Sequence, residues 1–144
     1  MLAEQISVFV ENKKGRLSEI ADCLGKGGID ISALSLAESD EYGVLRMIVS
    51  EPHKAKELLR ETGVIGKVTK VLAVAIDDRP GGFADSVRVL TENGIEIKYM
   101  YACVSHESGK ALMILSVDET EKAQQLLGST DAAKVDPKAI YRIK

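Results

Sequence analysis

The sequence contains an internal repeat: residues 8–50 align without a gap onto residues 74–116, with 12 identities among these 43 positions. The matches include glycines at points where a chain is expected to turn. These pairs are Gly15 and Gly81, Gly28 and Gly94, and Gly43 and Gly109. The fold must therefore be one that a short stretch of chain can form twice.

Each copy has about 70 residues, which is near the lower limit for a unit with its own core and too long for a repeat that needs many neighbours. We therefore expect two small domains, residues 1–70 and residues 71–144. Hydrophobic residues make up 45% of the chain and charged residues 28%, which is typical of a soluble globular protein.

The first copy predicts the order strand, helix, strand, strand, helix, strand. Residues 6–10 are rich in β-branched and apolar side chains, whereas apolar residues from Leu17 to Leu24 recur on one helical face. The later elements follow from glycine and proline signals. They are a helix stop at Gly25 to Gly28, strands at 29–37 and 44–49, a helix from Pro52 to Gly63, and a strand from about Lys67.

The second copy predicts the same order. Its elements are a strand at 72–76, a helix that ends at Asn93-Gly94, strands at 95–104 and 111–117, a helix at about 119–127, and a strand at 139–143. Because β-α-β crossovers are right-handed, this order folds as a four-stranded antiparallel sheet with both helices on one face. We therefore predict an α+β protein of two tandem ferredoxin-like plaits.

Charge and composition argue against several partners. The net charge is −3, lysines and arginines are dispersed, aromatic residues are 4% and tryptophan is absent, so nucleic acid is not an expected partner. No stretch resembles a membrane span, and the N-terminus alternates like a strand rather than a signal peptide. We expect a cytoplasmic protein that does not bind membranes.

Cysteine and histidine also give no sign of a metal or disulfide. Cys23 and Cys103 occupy non-equivalent places in the two copies, so we expect two thiols. His53 and His106 are likewise non-equivalent and have no partner at metal-ligand spacing, so both are predicted surface residues. No catalytic, phosphate-binding or metal-binding motif is present, and no cofactor is expected.

The turn between the first strand and the first helix is the most informative local element. It reads Asp-Asp-Arg-Pro-Gly-Gly-Phe at 77–83 and Glu-Asn-Lys-Lys-Gly-Arg-Leu at 11–17. A polar Asp or Asn, then Pro-Gly and a large apolar residue, with Gly-Ile-x-Ile at the second strand, resembles the ACT domain. The resemblance covers nearly the whole chain as two tandem units. The first copy departs from the pattern, because Lys14 replaces the proline and Asn12 replaces Asp78.

The resemblance implies a non-enzymatic regulatory protein that binds a small effector, most often a free amino acid. ACT domains bind it where this turn meets the second strand of a neighbouring unit. A separate partner, either an enzyme or a regulator, would then receive the signal. The residues implied are Asn12, Lys14, Gly15, Arg16, Leu17, Ile31, Ser32 and Ala33 in the first copy, and Asp78, Pro80, Gly81, Gly82, Phe83, Ile97, Lys98 and Tyr99 in the second.

The chemistry of the turn fits that ligand. A helix start presents unpaired backbone N–H groups, which suit a carboxylate, and glycine lets the backbone approach the ligand. The side-chain oxygen of Asp78 or Asn12 can accept from an ammonium group, while Phe83 and Leu17 close the apolar side.

Three alternatives remain open. The turn is also explained as a plain turn with a helix N-cap, since Asp, Pro and Gly favour both. The chain is also consistent with a protein interaction module that has no small ligand. A small ferredoxin-like enzyme would use Asp77, Asp78 and Arg79, although adjacent residues at a strand end point to opposite sides.

The junction of the copies bears on assembly. The last strand of the first copy runs into Leu72 without a linker. Such a short connection strains an arrangement in which one chain joins its own two second strands into an eight-stranded sheet. Either the copies exchange a strand, or the second-strand edges pair between chains. We favour a homodimer.

Overall fold

The computed structural model describes residues 1–38, 41–104 and 109–141. Within these ranges the chain forms six strands, five α-helices and one short 3-10 helix at Asp131–Ala133. The strands are β1 (Leu2–Glu11), β2 (Ile31–Glu38), β3 (Tyr42–Val49), β4 (Gly66–Asp77), β5 (Ile97–Ala102) and β6 (Lys110–Val117). The helices are α1 (Arg16–Lys26), α2 (Pro52–Glu61), α3 (Gly82–Glu92), α4 (Thr120–Leu127) and α5 (Pro137–Tyr141).

The strands are hydrogen-bonded in the order β2-β3-β1 in the first copy and β4-β6-β5 in the second. β1 and β2 both pair antiparallel with β3, and β4 and β5 both pair antiparallel with β6. Each second strand therefore runs in the same direction as the first strand of its copy. The predicted α+β class and ferredoxin-like plan are confirmed.

The chain divides into two compact units. The N-terminal unit contains Glu4–Thr69 with Tyr141, and the C-terminal unit contains Met1–Ala3 with Lys70–Ile140. The first few residues thus belong to the unit of the second copy.

The core of the N-terminal unit lies between the sheet and helices α1 and α2. Alternate residues of β1 and β3 face it, together with one stripe of each helix. Its fully buried members include Ile6, Leu24, Val49, Ala55 and Leu59. The C-terminal unit has an equivalent core of alternate residues from β4 and β6 with α3 and α4, including Leu72, Leu90, Leu115 and Ala123.

The second strands begin two residues later than predicted, at Ile31 and Ile97. Gly28 and Gly94 have φ angles of 74° and 73°, a left-handed conformation that ends the preceding helix. The N–H of Ile29 then donates to the carbonyl of Leu24 at 3.0 Å. This residue is a buried helix stop rather than part of the strand.

The predicted strand at 139–143 is wrong at residues 139–141, because Pro137–Tyr141 is a helix. Residues 142 and 143 lie outside the described residues. Asp136 caps this helix, since its side-chain oxygen accepts from the N–H of Lys138 at 2.9 Å, and Pro137 occupies the first turn. The start of the chain pairs instead with β4: Met1 and Ala73 exchange two backbone hydrogen bonds of 2.9 and 2.8 Å. The exchanged strand considered above is thus an extension of β1.

Candidate functional site

The two predicted turns start their helices in the same way. The N-cap residues Gly15 and Gly81 have φ angles of 88° and 85°, and neither helix start has a side-chain cap. Glycine suits both positions because other residues avoid this left-handed conformation. The alternative interpretation was a plain turn with a side-chain N-cap, but no side chain caps either helix start. In the described chain, the N–H groups of Leu17 and Ser18 have no hydrogen-bond acceptor.

The first turn opens onto a cavity of about 440 Å³, here named the first-turn cavity. This volume is within the range of about 300–1,000 Å³ that is usual for small-molecule sites. Its lining residues come from the end of β1, the turn, the start of α1, and the ends of the β2–β3 hairpin. They are Val10, Glu11, Asn12, Lys13, Gly15, Leu17, Ser18, Leu36, Glu38 and Gly43.

The β2 residues at this cavity are Leu36 and Glu38, and neither was predicted from the sequence. Because β1 and β2 run in the same direction, the C-terminal end of β2 lies at the same end of the sheet as the turn that follows β1. The start of β2, predicted as a ligand wall at Ile31 to Ala33, lies at the opposite end. These residues cannot share a site with the turn of their own copy.

The residues predicted as a ligand wall at the start of β2, Ile31 to Ala33, are mostly buried in the structure. Ser32 and Ala33 are fully buried, and the hydroxyl of Ser32 donates to the carbonyl of Ile48 at 3.2 Å. Ile31 packs partly against the core. In the second copy Ile97 packs in the same way, Lys98 is exposed, and Tyr99 is half-buried.

Charged side chains at the first-turn cavity are not paired with one another. In the described ranges, Glu11, Lys13 and Glu38 make no side-chain hydrogen bond or ion pair. Arg16, which could reach a carboxylate, contacts Glu19 at 2.9 Å instead. Lys14 is exposed and does not line the cavity.

The second turn differs in shape. The cavity next to it, here named the second-turn cavity, is about 170 Å³, and Gly82 is the only predicted ligand-binding residue in its lining. Asp78, Pro80, Gly81 and Phe83 lie outside that lining. The other lining residues include Asp77, Asp85, Lys110 and Asp131.

The charges around the second turn are paired with one another in what we name the Arg79 network. The guanidinium of Arg79 contacts Asp85 at 2.7 Å and Asp77 at 3.7 Å, and Arg88 contacts Asp85 at 3.2 Å. Lys110 also donates to Asp77. Hydrogen bonds from Arg79 and then Arg88 lower the pKa of Asp85, and the pKa of Arg79 is raised by the same hydrogen bond.

The start of α3 is packed against the strand that precedes it. A side-chain carbon at Gly82 would overlap the carbonyl oxygen of Asp77, so only glycine fits there. The equivalent residue in the first copy is Arg16, whose side chain excludes such an approach. The helix start is therefore closer to the sheet in the second copy.

Residues 1–38, 41–104 and 109–141 contain no group of three metal-ligating side chains and no helix that is long and apolar enough to cross a membrane. His53 is exposed and contacts Glu4 at 2.7 Å. His106 lies outside the described residues.

Each copy is a small ferredoxin-like domain in which a glycine N-cap begins the helix after the first strand. The chain is therefore a tandem pair of such domains. Residues 1–143 match the family model of the ACT domain pair. The chain belongs to this family. No curated protein matches the sequence significantly.

Solved structures share the fold. A crystal structure of a protein from Bacteroides thetaiotaomicron is 32% identical, with a TM-score of 0.83, and the match covers 94% of this chain and 98% of that one. The ligand-free regulatory subunit of aspartate kinase from Thermus thermophilus is 14% identical, with a TM-score of 0.62 and coverage of 89% and 93%. The corresponding subunit from Thermus flavus is 13% identical, with a TM-score of 0.60 and coverage of 89% and 94%.

Proposed function

We propose that this protein is a non-enzymatic regulator that binds a free amino acid at its β–α turns and passes the signal to a separate partner. The observation that carries the proposal is the first-turn cavity, which combines unpaired helix N–H groups, unpaired charges and an apolar wall. Membership of the ACT domain pair family supports it. Regulatory subunits of aspartate kinase use the same fold.

An α-amino acid matches these groups one by one. Its carboxylate would accept from the N–H groups of Leu17 and Ser18, at the positive end of α1. Its ammonium group would donate to the carboxylates of Glu11 and Glu38. Its side chain would then contact the apolar surface of the cavity.

The wider set of proposed ligand-binding residues comes from both copies, taken as domains 1–70 and 71–144. The turn residues are Asn12, Lys14, Gly15, Arg16 and Leu17, and Asp78, Pro80, Gly81, Gly82 and Phe83. The start of a second strand, at Ile31 to Ala33 or Ile97 to Tyr99, would reach a turn only from another unit.

A homodimer and a cytoplasmic location are part of the proposal. β2 and β5 are each an end strand in the order of their own copy, so each has an edge at which a second chain could add a strand. A ligand that binds the paired state more tightly would stabilise it, which gives regulation a mechanism.

A specific observation also favours the rival function, a protein interaction module without a small ligand. Phe9 and Tyr42 are 71% and 47% exposed, and their rings meet edge to face with centroids 6.5 Å apart. Exposed aromatic side chains are enriched where proteins bind one another. In the regulatory proposal this pair would contact the separate partner.

Thermal denaturation in the presence of each of the twenty amino acids tests the proposal. A ligand of the folded state raises the melting temperature, with about 2.7 kcal/mol of stabilisation at a hundredfold excess over Kd. The matched controls are the N-acetyl and amide derivatives of the best ligand, since each lacks one charged group and should give a smaller shift. If no amino acid raises the melting temperature, the interaction module becomes the better explanation.

A further inference from the structure

We infer that the two copies are not equivalent sites: the first-turn cavity binds one amino acid with an aliphatic side chain, and the second turn is closed by its own Arg79 network. The inference rests on the proposed function and deepens it. It names the copy that binds, the class of side chain, and a ratio of one ligand per chain.

The pairing of charges is the first difference between the copies. Glu11 and Lys13 line the first-turn cavity without ion-pair partners in the described chain. Their counterparts, Asp77 and Arg79, contact one another and also hold Lys110 and Asp85. A zwitterion can pair with Glu11 and Lys13 without breaking an existing contact. To pair with Asp77 it must displace a cation that already contacts this carboxylate.

Space is the second difference. The second-turn cavity, of about 170 Å³, is a different space from the first-turn cavity, of about 440 Å³, because Asp77 is its only lining residue whose counterpart, Glu11, lines the first. Gly82 allows the start of α3 to press against the carbonyl of Asp77, whereas Arg16 keeps the start of α1 away from β1. A cavity of about 170 Å³ is below the usual range for small-molecule sites.

The lining of the first-turn cavity limits the ligand side chain. Val10, Leu17 and Leu36 supply its apolar surface, and Leu17 and Leu36 are 42% and 51% exposed. Covering such apolar surface stabilises a complex, because the surface is removed from water. An aliphatic side chain gains this contribution, whereas glycine does not and a lysine side chain brings a charge that must stay hydrated.

A matched pair of variants separates the copies. Ser18 and Ala84 are equivalent exposed residues in the first turns of α1 and α3, and only Ser18 lines a proposed site. Aspartate is favourable at both positions because it lies near the positive end of a helix. Ser18→Asp and Ala84→Asp should therefore both fold, which circular dichroism would verify. In Ser18→Asp the new carboxylate would repel the ligand carboxylate.

The experiment is calorimetric titration of the full chain with L-valine, L-leucine and L-isoleucine, with glycine and L-lysine as comparators. We expect one equivalent per chain and tighter binding of the aliphatic ligands. Ser18→Asp should weaken binding about tenfold or more, as loss of a charge-assisted contact does. Ala84→Asp should leave the Kd within about twofold.

The outcomes separate the inference from the proposed function. Two equivalents per chain, weakening by Ala84→Asp alone, or preference for glycine or lysine would overturn the inference and leave amino-acid binding in place. Absence of binding by all twenty amino acids would overturn both. One equivalent, lost in Ser18→Asp and kept in Ala84→Asp, supports the assignment.

Discussion

Gly82 lies so close to the carbonyl of Asp77 that no side-chain carbon fits between them. Gly82→Ala must therefore move the start of α3 away from β4, because the overlapping atom belongs to the backbone. We expect a loss of about 1–3 kcal/mol, as for other overpacked sites. Urea denaturation measures this change in the free energy of unfolding.

Arg16→Ala is the matched control, since Arg16 is the equivalent residue of the first copy. It removes the ion pair with Glu19, which contributes about 0–1 kcal/mol at a surface, and the contacts of an arginine side chain that is 20% exposed. Equal losses for both variants would show that the helix starts are not packed differently.

Gly15 offers a second test, because its backbone conformation and not its surroundings requires glycine. Its φ angle is 88°, and an added side-chain carbon would meet nothing within 4 Å. Gly15→Ala should therefore destabilise the protein by about 1–2 kcal/mol. Gly15→Asn should cost less, since asparagine tolerates the left-handed region. Thermal denaturation would rank the variants.

Gly25→Ala controls for the loss of glycine itself. Gly25 lies within α1 and also has nothing within 4 Å, but its φ is not positive. Alanine there should stabilise the protein by about 0.4–1 kcal/mol. If Gly15→Ala and Gly25→Ala change the free energy of unfolding in the same direction, Gly15 is not required for its left-handed backbone conformation.

These positions show why much of the fold was predictable. The repeat placed the shared glycines at equivalent points, and five of the six, at 15, 81, 28, 94 and 109, have the positive φ that other residues avoid. The element order followed because short-range signals agree with the packed structure. The strand predicted at 139–143 was wrong at residues 139–141 because its apolar residues outweighed the Asp136-Pro137 helix start, a signal that was present in the sequence.

The candidate site was only partly predictable. The turn residues were identified from the sequence, but Leu36 and Glu38 reach the first-turn cavity through strand direction, which the predicted plait already contained. The contact between Arg79 and Asp85 could not be predicted in the same way. It spans six residues across a left-handed glycine, and it depends on how closely Gly82 approaches the strand.

Cys103 should react unusually slowly for a half-buried thiol. Burial raises its pKa from 9.0 to about 11, because a thiolate is poorly solvated there. Only the thiolate is alkylated, so iodoacetamide at pH 8 should modify Cys103 about 100-fold more slowly in the folded protein than in concentrated urea. Mass spectrometry of the peptides gives both rates.

The same shift predicts the direction of a pH effect on stability. The folded-state pKa is the higher one, so above pH 9.0 the unfolded state loses its proton more readily. The contribution of Cys103 to the free energy of unfolding should thus fall between pH 9 and about pH 11. A Cys103→Ala variant should lack this part of the pH dependence.

Asp85 should make the free energy of unfolding depend on pH at the acidic end of the scale. Its pKa is below the ordinary 3.8, first through the hydrogen bond from Arg79 and then through that from Arg88. The contribution of ionised Asp85 to the free energy of unfolding is therefore complete above pH 3.8. It is lost as the pH falls through the lower pKa of the folded state. In NMR titrations Arg79→Ala should raise the Asp85 midpoint more than Arg88→Ala does. Equal midpoints in all three proteins would contradict the Arg79 network.

Tyr141, at the end of α5, gives a test of the element that replaced the predicted last strand. Its hydroxyl accepts a hydrogen bond of 2.8 Å from the backbone N–H of Glu4, in a partly buried position. Tyr141→Phe removes this acceptor and leaves the N–H unpaired, which costs about 0.5–1.5 kcal/mol. Hydrogen exchange at the Glu4 amide should accelerate by about 2- to 12-fold. The amide of Ile6, in the middle of β1, is the internal control and should change only as much as global stability does. Unchanged protection of Glu4 would mean that the end of α5 does not contact this strand in solution.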